Sequence, residues 1–365
     1  MTAPADLRFM KRALQLARRR KGWTSPNPCV GAVVVKSGQI VGEAVHPAHG
    51  QPHAEPLALA AAGTKARGAT VYVNLEPCCH VGATPSCADA LIAAGVKHVV
   101  AAIRDPNPKV SGRGFAKLKR AGIAADCGLL EVEARRLNQD FIKHVTTGLP
   151  FVTLKLAMSL DGKISTRTGE SKWITGEQAR RHAHRLRHEH DAVMIGINTA
   201  LADDPELTCR LPGKHKQPTR IIVDSRARLP LEARCISSSA PTMVAVSERA
   251  RPAQLRSLSQ AGVETITAGD ERVDLTDLMT LLGERRMTSV LIEGGGTLAA
   301  AALEAGIVDK VVLFIAPMLI GGAEAISAIG GVGVKRLTEA WRMTDLRVRR
   351  TGEDWMIEGY VHRPD

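Results

Sequence analysis

Apolar residues follow two different spacings along the first 150 positions. Short runs rich in Val and Ile have the length and composition of β-strands, whereas other segments place apolar residues every three or four positions, as helices do. Alternation of the two patterns is typical of a layered α/β domain. The predicted strands cover residues 30–35, 40–45, 69–75 and 97–103, and the predicted helices cover residues 53–62, 87–94, 114–121 and 131–144.

The first 21 residues also have helical periodicity, which would place Leu7, Met10, Leu14 and Ala17 on one face. The same segment carries seven basic side chains and one acidic side chain, which would line the other faces. An Arg-rich, acid-poor start is also typical of a cleaved transit peptide. We favour a helix of the folded domain, because the apolar residues keep a helical spacing.

Small and turn-forming residues at 146–150 separate this pattern from a second one of the same kind. Since 365 residues exceed what one ordinary core supports, we predict two domains, over residues 1–148 and 149–365. We assign no chemistry to residues 225–285. The strands predicted in the second domain cover residues 151–158, 192–195, 220–223, 242–246, 290–293 and 310–315, and a helix is predicted over residues 297–305.

Composition narrows the class of protein. Apolar residues make up 44% of the chain, which is enough for packed cores, and no run of 18 apolar residues could cross a membrane. Seven cysteines without a secretory leader argue against a disulfide framework. We therefore expect a cytoplasmic protein whose cysteines are free thiols or metal ligands.

The net charge of +12 is unevenly distributed. Residues 1–150 carry 20 Lys and Arg against 10 Asp and Glu, whereas the remaining residues carry 29 against 27. A basic domain raises the alternative of a protein that binds or edits nucleic acid. An aromatic content of 3% argues against it, because single-stranded nucleic acid is commonly bound by stacking on aromatic side chains.

A zinc-deaminase pattern lies in the first domain. His53 and Glu55 stand at the start of a predicted helix, Cys78 follows a proline in a loop, and Cys87 begins the next helix. Three protein ligands leave one zinc position open for a water, whose pKa zinc lowers to about 7, and Glu55 would then move the proton. Cys79 is a rival ligand, although Pro77 favours Cys78. In the alternative without a metal site, Cys78 and Cys87 are ordinary buried thiols and His53 caps a helix.

The eight residues between Cys78 and Cys87 are more than a cytidine deaminase has, and they direct attention to a particular family. The motifs NPCVG at 27–31, HAE at 53–55, PCCHVGATPSC at 77–87 and DPNP at 105–108 together resemble the deaminase half of the bifunctional riboflavin-biosynthesis deaminase/reductase family. The segments FVTLKLAMSLDG at 151–162, TGESKWIT at 168–175 and GINTALADDPELTCR at 196–210 resemble its reductase half, in the same order.

This resemblance implies a cytidine-deaminase-like α/β/α domain followed by a dihydrofolate-reductase-like α/β domain. In the first domain it implies that Asn27, His46, His80 and Thr84 line the pocket for the pyrimidine and the ribose phosphate. Two positions depart from the family pattern. Ala83 stands where Lys or Arg is usual, and His49 stands where a small residue is usual.

Glycines at 294–296 lie between a predicted strand and a predicted helix, where backbone N–H groups can bind a phosphate. The turn also fits a dinucleotide fingerprint, but it lies late in its domain and no acidic residue ends a second strand about 20 positions on, so we reject a Rossmann domain. A predicted helix around residues 180–190 carries several Arg and His side chains. His184 and His188 have a metal-like spacing, but we favour a solvated face over a second metal site.

The resemblance also assigns residues of the second domain. For the nicotinamide cofactor it points to Ala157, Trp173, Thr199, Asp203, Gly295, Gly296 and Thr297. For the substrate it points to Ser171, Arg187, Leu207, Arg210 and Glu293. We predict that Lys155 and Asp203 form the polar pair that supports hydride transfer, although Lys155 could also be a strand-end lysine without a role.

These observations lead to a functional hypothesis. We expect a bifunctional enzyme with Zn²⁺ in the first domain and NADPH in the second. It would deaminate 2,5-diamino-6-(5-phosphoribosylamino)pyrimidin-4-one, a small phosphorylated substrate, and then reduce the ribosyl group to ribityl. The alternatives are a deaminase with a silent second domain and, less favoured, a nucleic-acid base deaminase. We expect a homo-oligomer that binds neither nucleic acid nor membrane.

Overall fold

The computed structural model of the chain describes residues 4–80, 85–108, 110–237 and 239–362. The chain divides into two compact units, residues 1–148 and 149–365. Each unit is built on its own β-sheet with helices, which confirms the predicted α/β class. Within the described residues, no helix combines the length and the apolarity needed to cross a membrane.

The first unit has a five-stranded sheet in the order β2-β1-β3-β4-β5. Strand β1 is antiparallel to both of its neighbours, while β3, β4 and β5 are mutually parallel. The loops that follow β3 and β4 therefore leave the same edge of the sheet. The elements are α1 (Pro4–Arg18), β1 (Gly31–Lys36), β2 (Gln39–Val45), α2 (Ala54–Ala62), β3 (Thr70–Val73), α3 (Cys87–Ala93), β4 (His98–Ala101), α4 (Arg113–Arg120), β5 (Ala124–Cys127), α5 (Glu131–Leu137) and α6 (Gln139–Thr147).

Helix α1 is part of the folded unit. Met10, Leu14 and Ala17 are buried in the core as the spacing predicts, whereas the prediction for Leu7 is wrong, because that side chain is exposed. The helix lies directly against β1, where Gly31 has no room for a side chain beside the α1 backbone. The apolar stripe is thus satisfied by tertiary packing, which is what stabilises most helices in proteins.

The helix predicted over residues 131–144 is two helices, α5 and α6. They are separated at Asn138, whose backbone leaves the helical region (φ −110°, ψ 21°). The Asn138 side chain accepts a hydrogen bond from the N–H of Cys29 at 2.8 Å and donates one to the Cys29 carbonyl at 3.1 Å. Asn138 therefore interrupts the helix and holds the backbone that precedes β1.

The second unit has a nine-stranded sheet in the order β10-β9-β8-β7-β11-β6-β12-β14-β13. All neighbours are parallel except the last two pairs, which are antiparallel. The elements are β6 (Phe151–Ser159), α7 (Glu177–Glu189), β7 (Ala192–Gly196), α8 (Ile197–Asp203), β8 (Thr219–Val223), β9 (Thr242–Val246), α9 (Pro252–Gln260), β10 (Glu264–Thr267), α10 (Leu275–Glu284), β11 (Ser289–Glu293), α11 (Gly296–Glu304), β12 (Lys310–Ala316), β13 (Arg342–Thr351) and β14 (Asp354–His362).

Several elements were not predicted from the sequence. Residues 225–285 contain α9, β10 and α10 in addition to the predicted strand β9. The long hairpin of β13 and β14 was also missed. Eight of the ten residues of β13 are exposed, so the strand lacks the apolar and polar alternation that marks a half-buried strand.

Candidate active sites

Three potential metal ligands from separate segments meet in the first unit. His53 lies at the N-cap position of α2, Cys78 lies in the loop after β3, and Cys87 is the first residue of α3. Nδ1 of His53 lies 3.2 Å from Sγ of Cys87 and 3.7 Å from Sγ of Cys78. All three ligand atoms lie within 4.8 Å of one another. The structure therefore brings together the predicted histidine and cysteines.

One imidazole and two thiols are a donor set that fits Zn²⁺. Tetrahedral zinc with bonds of about 2.0 Å to nitrogen and 2.3 Å to sulfur would separate these atoms by about 3.5–3.8 Å, close to the two distances above. A hydrogen bond between the thiols lowers the pKa of Cys78 and raises the pKa of Cys87, so Cys78 ionises first. Among the described residues, this is the one group with such ligand geometry.

Cys79, the alternative zinc ligand considered from the sequence, lies outside this cluster. The Cys78 carbonyl accepts hydrogen bonds from the Ser86 hydroxyl at 3.1 Å and from the Ala88 N–H at 3.0 Å, and Sγ of Cys78 accepts one from the Cys87 N–H at 3.3 Å. These contacts hold Cys78 beside the start of α3. Cys79 instead lines a separate surface cavity with the basic side chains of α4, namely Arg113, Lys117 and Arg120.

Glu55 lies in the first turn of α2, two residues after His53, and is 3% exposed. Burial, reinforced by the charge of nearby Cys78, raises its pKa to about 7. A carboxyl group with a pKa near neutrality can both take up and release a proton at physiological pH. The geometry therefore gives Glu55 the properties of a general acid and base.

A cavity of about 290 Å³ opens onto this cluster. It is lined by Glu55 and by three of the residues predicted to contact substrate, Asn27, His46 and His80. The fourth, Thr84, lies outside the described residues, as does Ala83. Three polar residues to which the sequence analysis assigned no role also line the cavity, namely Glu76 and, from the DPNP motif, Asp105 and Asn107. Burial raises the pKa of Asp105 to about 6.

The polar groups at one side of this cavity form a directed chain of hydrogen bonds. Nδ1 of His46 lies 3.1 Å from the Pro52 carbonyl, which can only accept, so Nδ1 carries the proton. Burial lowers the pKa of His46, so its Nε2 is an acceptor for the Asn27 amide N–H at 3.1 Å. The Asn27 amide oxygen then accepts from Nδ1 of His49 at 3.2 Å. His49, the unusual residue, thus contacts a predicted substrate ligand.

A second cavity, of about 360 Å³, lies in the second unit. Lys155 and Glu293 stand opposite each other on β6 and β11, and Arg187 extends from α7. Arg187 donates to the two carboxylate oxygens of Glu293 at 2.6 and 2.9 Å, and Nζ of Lys155 lies 3.7 Å from the same carboxylate. Lys155, Arg187, Trp173 and Arg210 line this cavity.

Charge pairing sets the ionisation of this triad. Burial alone would raise the pKa of Glu293, but the charges of Arg187 and Lys155 outweigh burial and lower it to about 2. Burial lowers the pKa of Lys155 despite the neighbouring carboxylate. Glu293 is therefore a fixed negative charge at neutral pH, held between two cations.

Lys155 and Asp203, the two residues predicted to support hydride transfer, have different partners in the structure. Lys155 pairs with Glu293, because the two residues are in register on adjacent strands. Asp203 ends α8 and accepts a hydrogen bond from the Ser171 hydroxyl at 3.1 Å, with Nζ of Lys172 3.9 Å away. This hydrogen bond joins Asp203, which the sequence analysis assigns to the cofactor site, to Ser171, which it assigns to the substrate site.

The segment that follows α8 carries the other predicted substrate residues. Leu207 is buried and has a positive φ of 56°. Arg210 pairs with Glu206 at 2.8 Å and is half exposed. His184 lines the cavity and lies 3.1 Å from the Thr208 carbonyl. The expectation of a solvated histidine face is therefore wrong for His184, which the fold turns toward the cavity.

The glycine turn and α8 approach each other closely. Gly295 has a φ of 78°, and a Cβ added to it would lie 2.7 Å from Oγ1 of Thr199. Helix α11 starts at Gly296, so Thr297 lies in its first turn.

Two other residues predicted to bind the cofactor lie at or near the cavity of the second unit. Ala157 lies on β6 opposite Phe314, which lines the cavity. Trp173 is exposed and packs its ring 4.7 Å from the Arg180 guanidinium.

The two sites define a bifunctional enzyme, a zinc-binding deaminase joined to a reductase. Comparison with known families supports each half. The family described as the cytidine and deoxycytidylate deaminase zinc-binding region matches residues 4–103, and the family described as the RibD C-terminal domain matches residues 150–357. The chain belongs to the RibD family of riboflavin biosynthesis proteins.

The relatives match over nearly the whole chain. The riboflavin biosynthesis protein RibD of Aquifex aeolicus is 45% identical and covers 98% of this chain and 99% of its own. The structure of Acinetobacter baumannii RibD (form 1) is 40% identical, with a TM-score of 0.90 over 98% of this chain and 99% of that chain. A Thermotoga maritima structure is 37% identical, with a TM-score of 0.84 over 99% of each chain, and its title names a diaminohydroxyphosphoribosylaminopyrimidine deaminase/5-amino-6-(5-phosphoribosylamino)uracil reductase.

Family membership confirms the predicted class of enzyme. The chain is a bifunctional riboflavin biosynthesis enzyme with hydrolase and oxidoreductase activities that acts on a small-molecule substrate. Its zinc-binding deaminase region and its reductase domain imply Zn²⁺ and NADPH as cofactors. The cytidine-deaminase-like fold predicted for the first domain is likewise confirmed.

Proposed function

We propose that residues 1–148 hydrolytically deaminate the 2-amino group of 2,5-diamino-6-(5-phosphoribosylamino)pyrimidin-4-one and that residues 149–365 reduce the ribosyl group of the product to ribityl. The deaminase activity is supported above all by one observation: His53, Cys78 and Cys87 lie close together beside the buried Glu55, next to one cavity. The name printed for the Thermotoga maritima relative supports this choice of substrate.

In the deaminase site, His53, Cys78 and Cys87 would hold Zn²⁺, which supplies an activated water when bound. Glu55 takes the proton of that water on a carboxylate oxygen and returns it to the departing amino group, which leaves as ammonia. Asn27, His46 and His80 line the cavity and would bind the pyrimidine, with Thr84 as a further predicted contact. Because His46 is held neutral and donates to Pro52, Asn27 retains one amide N–H for the substrate.

In the reductase site, NADPH supplies the hydride. We propose that the turn at Gly295, Gly296 and Thr297, together with Ala157, Trp173, Thr199 and Asp203, holds the cofactor, because the start of α11 offers free backbone N–H groups to a phosphate. Ser171 is hydrogen-bonded to Asp203 and would contact substrate beside the cofactor, with Leu207 as a further contact.

We propose that the charged residues of the second site have different roles in binding the substrate. The guanidinium of Arg187 is engaged with Glu293, so we propose that Arg187 holds Glu293 in place while Glu293 accepts hydrogen bonds from sugar hydroxyls. Arg210 is half exposed and pairs with Glu206, whose side chain is also partly exposed, so it can turn toward the substrate phosphate. We propose that Lys155, buried beside Glu293, and Asp203, hydrogen-bonded to Ser171, both support hydride transfer.

We further propose a cytoplasmic location, since all seven cysteines are free, and a homo-oligomer. A cavity of about 290 Å³ suits a single small ligand and favours a small substrate over nucleic acid. A silent second domain would release ammonia without oxidising NADPH.

The substitution Glu55→Gln tests the assignment of the deaminase site. Glutamine keeps the shape of the side chain but cannot take up the proton, so ammonia release should fall by roughly 10²–10⁴-fold. NADPH oxidation with the deaminated substrate should be unchanged, because Glu55 belongs to the first unit. Wild-type rates of ammonia release in this variant would refute the role of Glu55.

A further inference from the structure

A second buried carboxylate lies beside the metal cluster and is used very differently from Glu55. Glu76 is 2% exposed, and its side chain accepts four backbone hydrogen bonds. Oε1 accepts from the N–H groups of Gly114 at 2.9 Å and Phe115 at 3.2 Å. Oε2 accepts from those of Asp105 at 3.1 Å and Gly112 at 2.9 Å.

These four bonds leave Glu76 little capacity to bind a substrate, although it borders the cavity. They serve the start of α4 instead. The N-cap residue of that helix is Gly112, which has no side chain to accept from the first N–H groups of the helix. Glu76 supplies the missing acceptor from a distant part of the sequence, and its negative charge suits the N-terminal end of a helix.

The same residue determines where Cys78 stands. Glu76 precedes Cys78 by two positions, with Pro77 between them. Helix α4 lies directly on this segment, because a Cβ at Gly114 would overlap the Pro77 carbonyl oxygen. On its other side, Cys78 is held through its carbonyl by the Ser86 hydroxyl and by the Ala88 N–H. Cys78 is thus fixed from both directions along the chain.

We propose that Glu76 is a positioning residue of the metal site, which fixes the segment 76–78 against the start of α4 and thereby keeps Sγ of Cys78 beside Nδ1 of His53. The inference rests on the proposed zinc ligands. Residues that support a metal ligand typically change metal affinity by 10–100-fold when they are replaced. Glu76→Gln keeps the shape of the side chain but turns an NH₂ group toward two N–H donors, so we expect a loss of zinc affinity in that range.

The test measures the zinc dissociation constant of the full chain by competition with a chromophoric chelator. Tyr72→Phe is the matched control, since Tyr72 is a buried residue of the same unit whose hydroxyl donates to Asp6 of α1 and takes no part in the hydrogen bonds between Glu76 and the start of α4. The thermal transition of each variant reports the loss of stability. Gly114→Ala is a second variant, whose Cβ would overlap the Pro77 carbonyl oxygen and crowd the Glu76 side chain while the negative charge of Glu76 is retained.

The expected result is zinc affinity at least 10-fold weaker in both E76Q and G114A, and within about twofold of wild type in Y72F at a comparable thermal shift. If E76Q fails to fold, G114A decides the question. Wild-type zinc affinity in a folded E76Q or G114A, or an equal loss in Y72F, would overturn the proposal. The C78S variant distinguishes a failure of this proposal from a failure of the ligand assignment. Wild-type zinc affinity in C78S would show that Cys78 is not a zinc ligand.

Discussion

Glu293→Gln removes the negative charge between Arg187 and Lys155 with little change in shape. Both cations are largely buried, with side chains 13% and 14% exposed. Glutamine retains one oxygen acceptor for the Arg187 guanidinium but leaves two buried positive charges without a counter-charge. The variant should therefore lose stability in the second unit and lose reductase activity, while ammonia release continues.

The size of the stability loss follows from the ionisation of the carboxyl group. A pKa lowered from 4.5 to about 2 corresponds to about 3 kcal/mol of stability at neutral pH. The loss expected for breaking a buried ion pair is similar, about 3–5 kcal/mol. Because the pKa of Glu293 is lower in the folded protein, this contribution is present above pH 4.5 and disappears as the pH falls toward 2.

Calorimetry of the full chain measures this effect. The transition of the second unit is the one that NADP⁺ raises, since a ligand stabilises the unit that binds it. For a unit of roughly 200 residues, 3 kcal/mol lowers Tm by about 6–12 °C, and the difference from wild type should shrink below pH 4.5. Glu271→Gln is the control, since its ion pair with Arg249 is exposed to solvent and therefore contributes little to stability. A shift in E293Q no larger than in E271Q would refute the reasoning.

Four further substitutions test individual residues. Cys78→Ser should abolish stoichiometric zinc in purified protein while Cys79→Ser retains it, as measured by elemental analysis, and loss of zinc only in the Cys79 variant would reverse the assignment. Gly295→Ala should weaken NADPH binding at least tenfold in fluorescence titration, because its Cβ would meet Thr199 Oγ1 at 2.7 Å, and unchanged binding would exclude this turn. Arg210→Ala should raise the reductase KM for the phosphorylated substrate by roughly 10–100-fold, and an equal effect on a dephosphorylated substrate would exclude a phosphate contact.

The parts of the fold that the sequence predicted are those where local pattern and tertiary packing agree. Helix α1 was found because its apolar residues keep a helical spacing and are buried together. The break at Asn138 was missed because it depends on hydrogen bonds to Cys29, more than 100 residues away in the chain. Strand β13 was missed because most of its residues are exposed on both faces.

The metal cluster was predictable for a chemical reason, since metal-binding residues have a characteristic type and spacing. Glu76 carries no such signal, because its role depends on backbone N–H groups of Asp105 and α4 that only folding brings to it. The pairing of Lys155 with Glu293 was missed for the same reason, since it follows from the register of β6 against β11.

The central claim is that one chain carries two sequential activities on the same substrate. The most direct test supplies the purified, zinc-loaded protein with the phosphorylated diaminopyrimidine and NADPH, and follows ammonia and NADPH absorbance together. The account predicts one ammonia released and one NADPH oxidised per substrate, with ammonia appearing first. NADPH oxidation that proceeds without ammonia release, or ammonia release with no substrate-dependent NADPH oxidation, would contradict it.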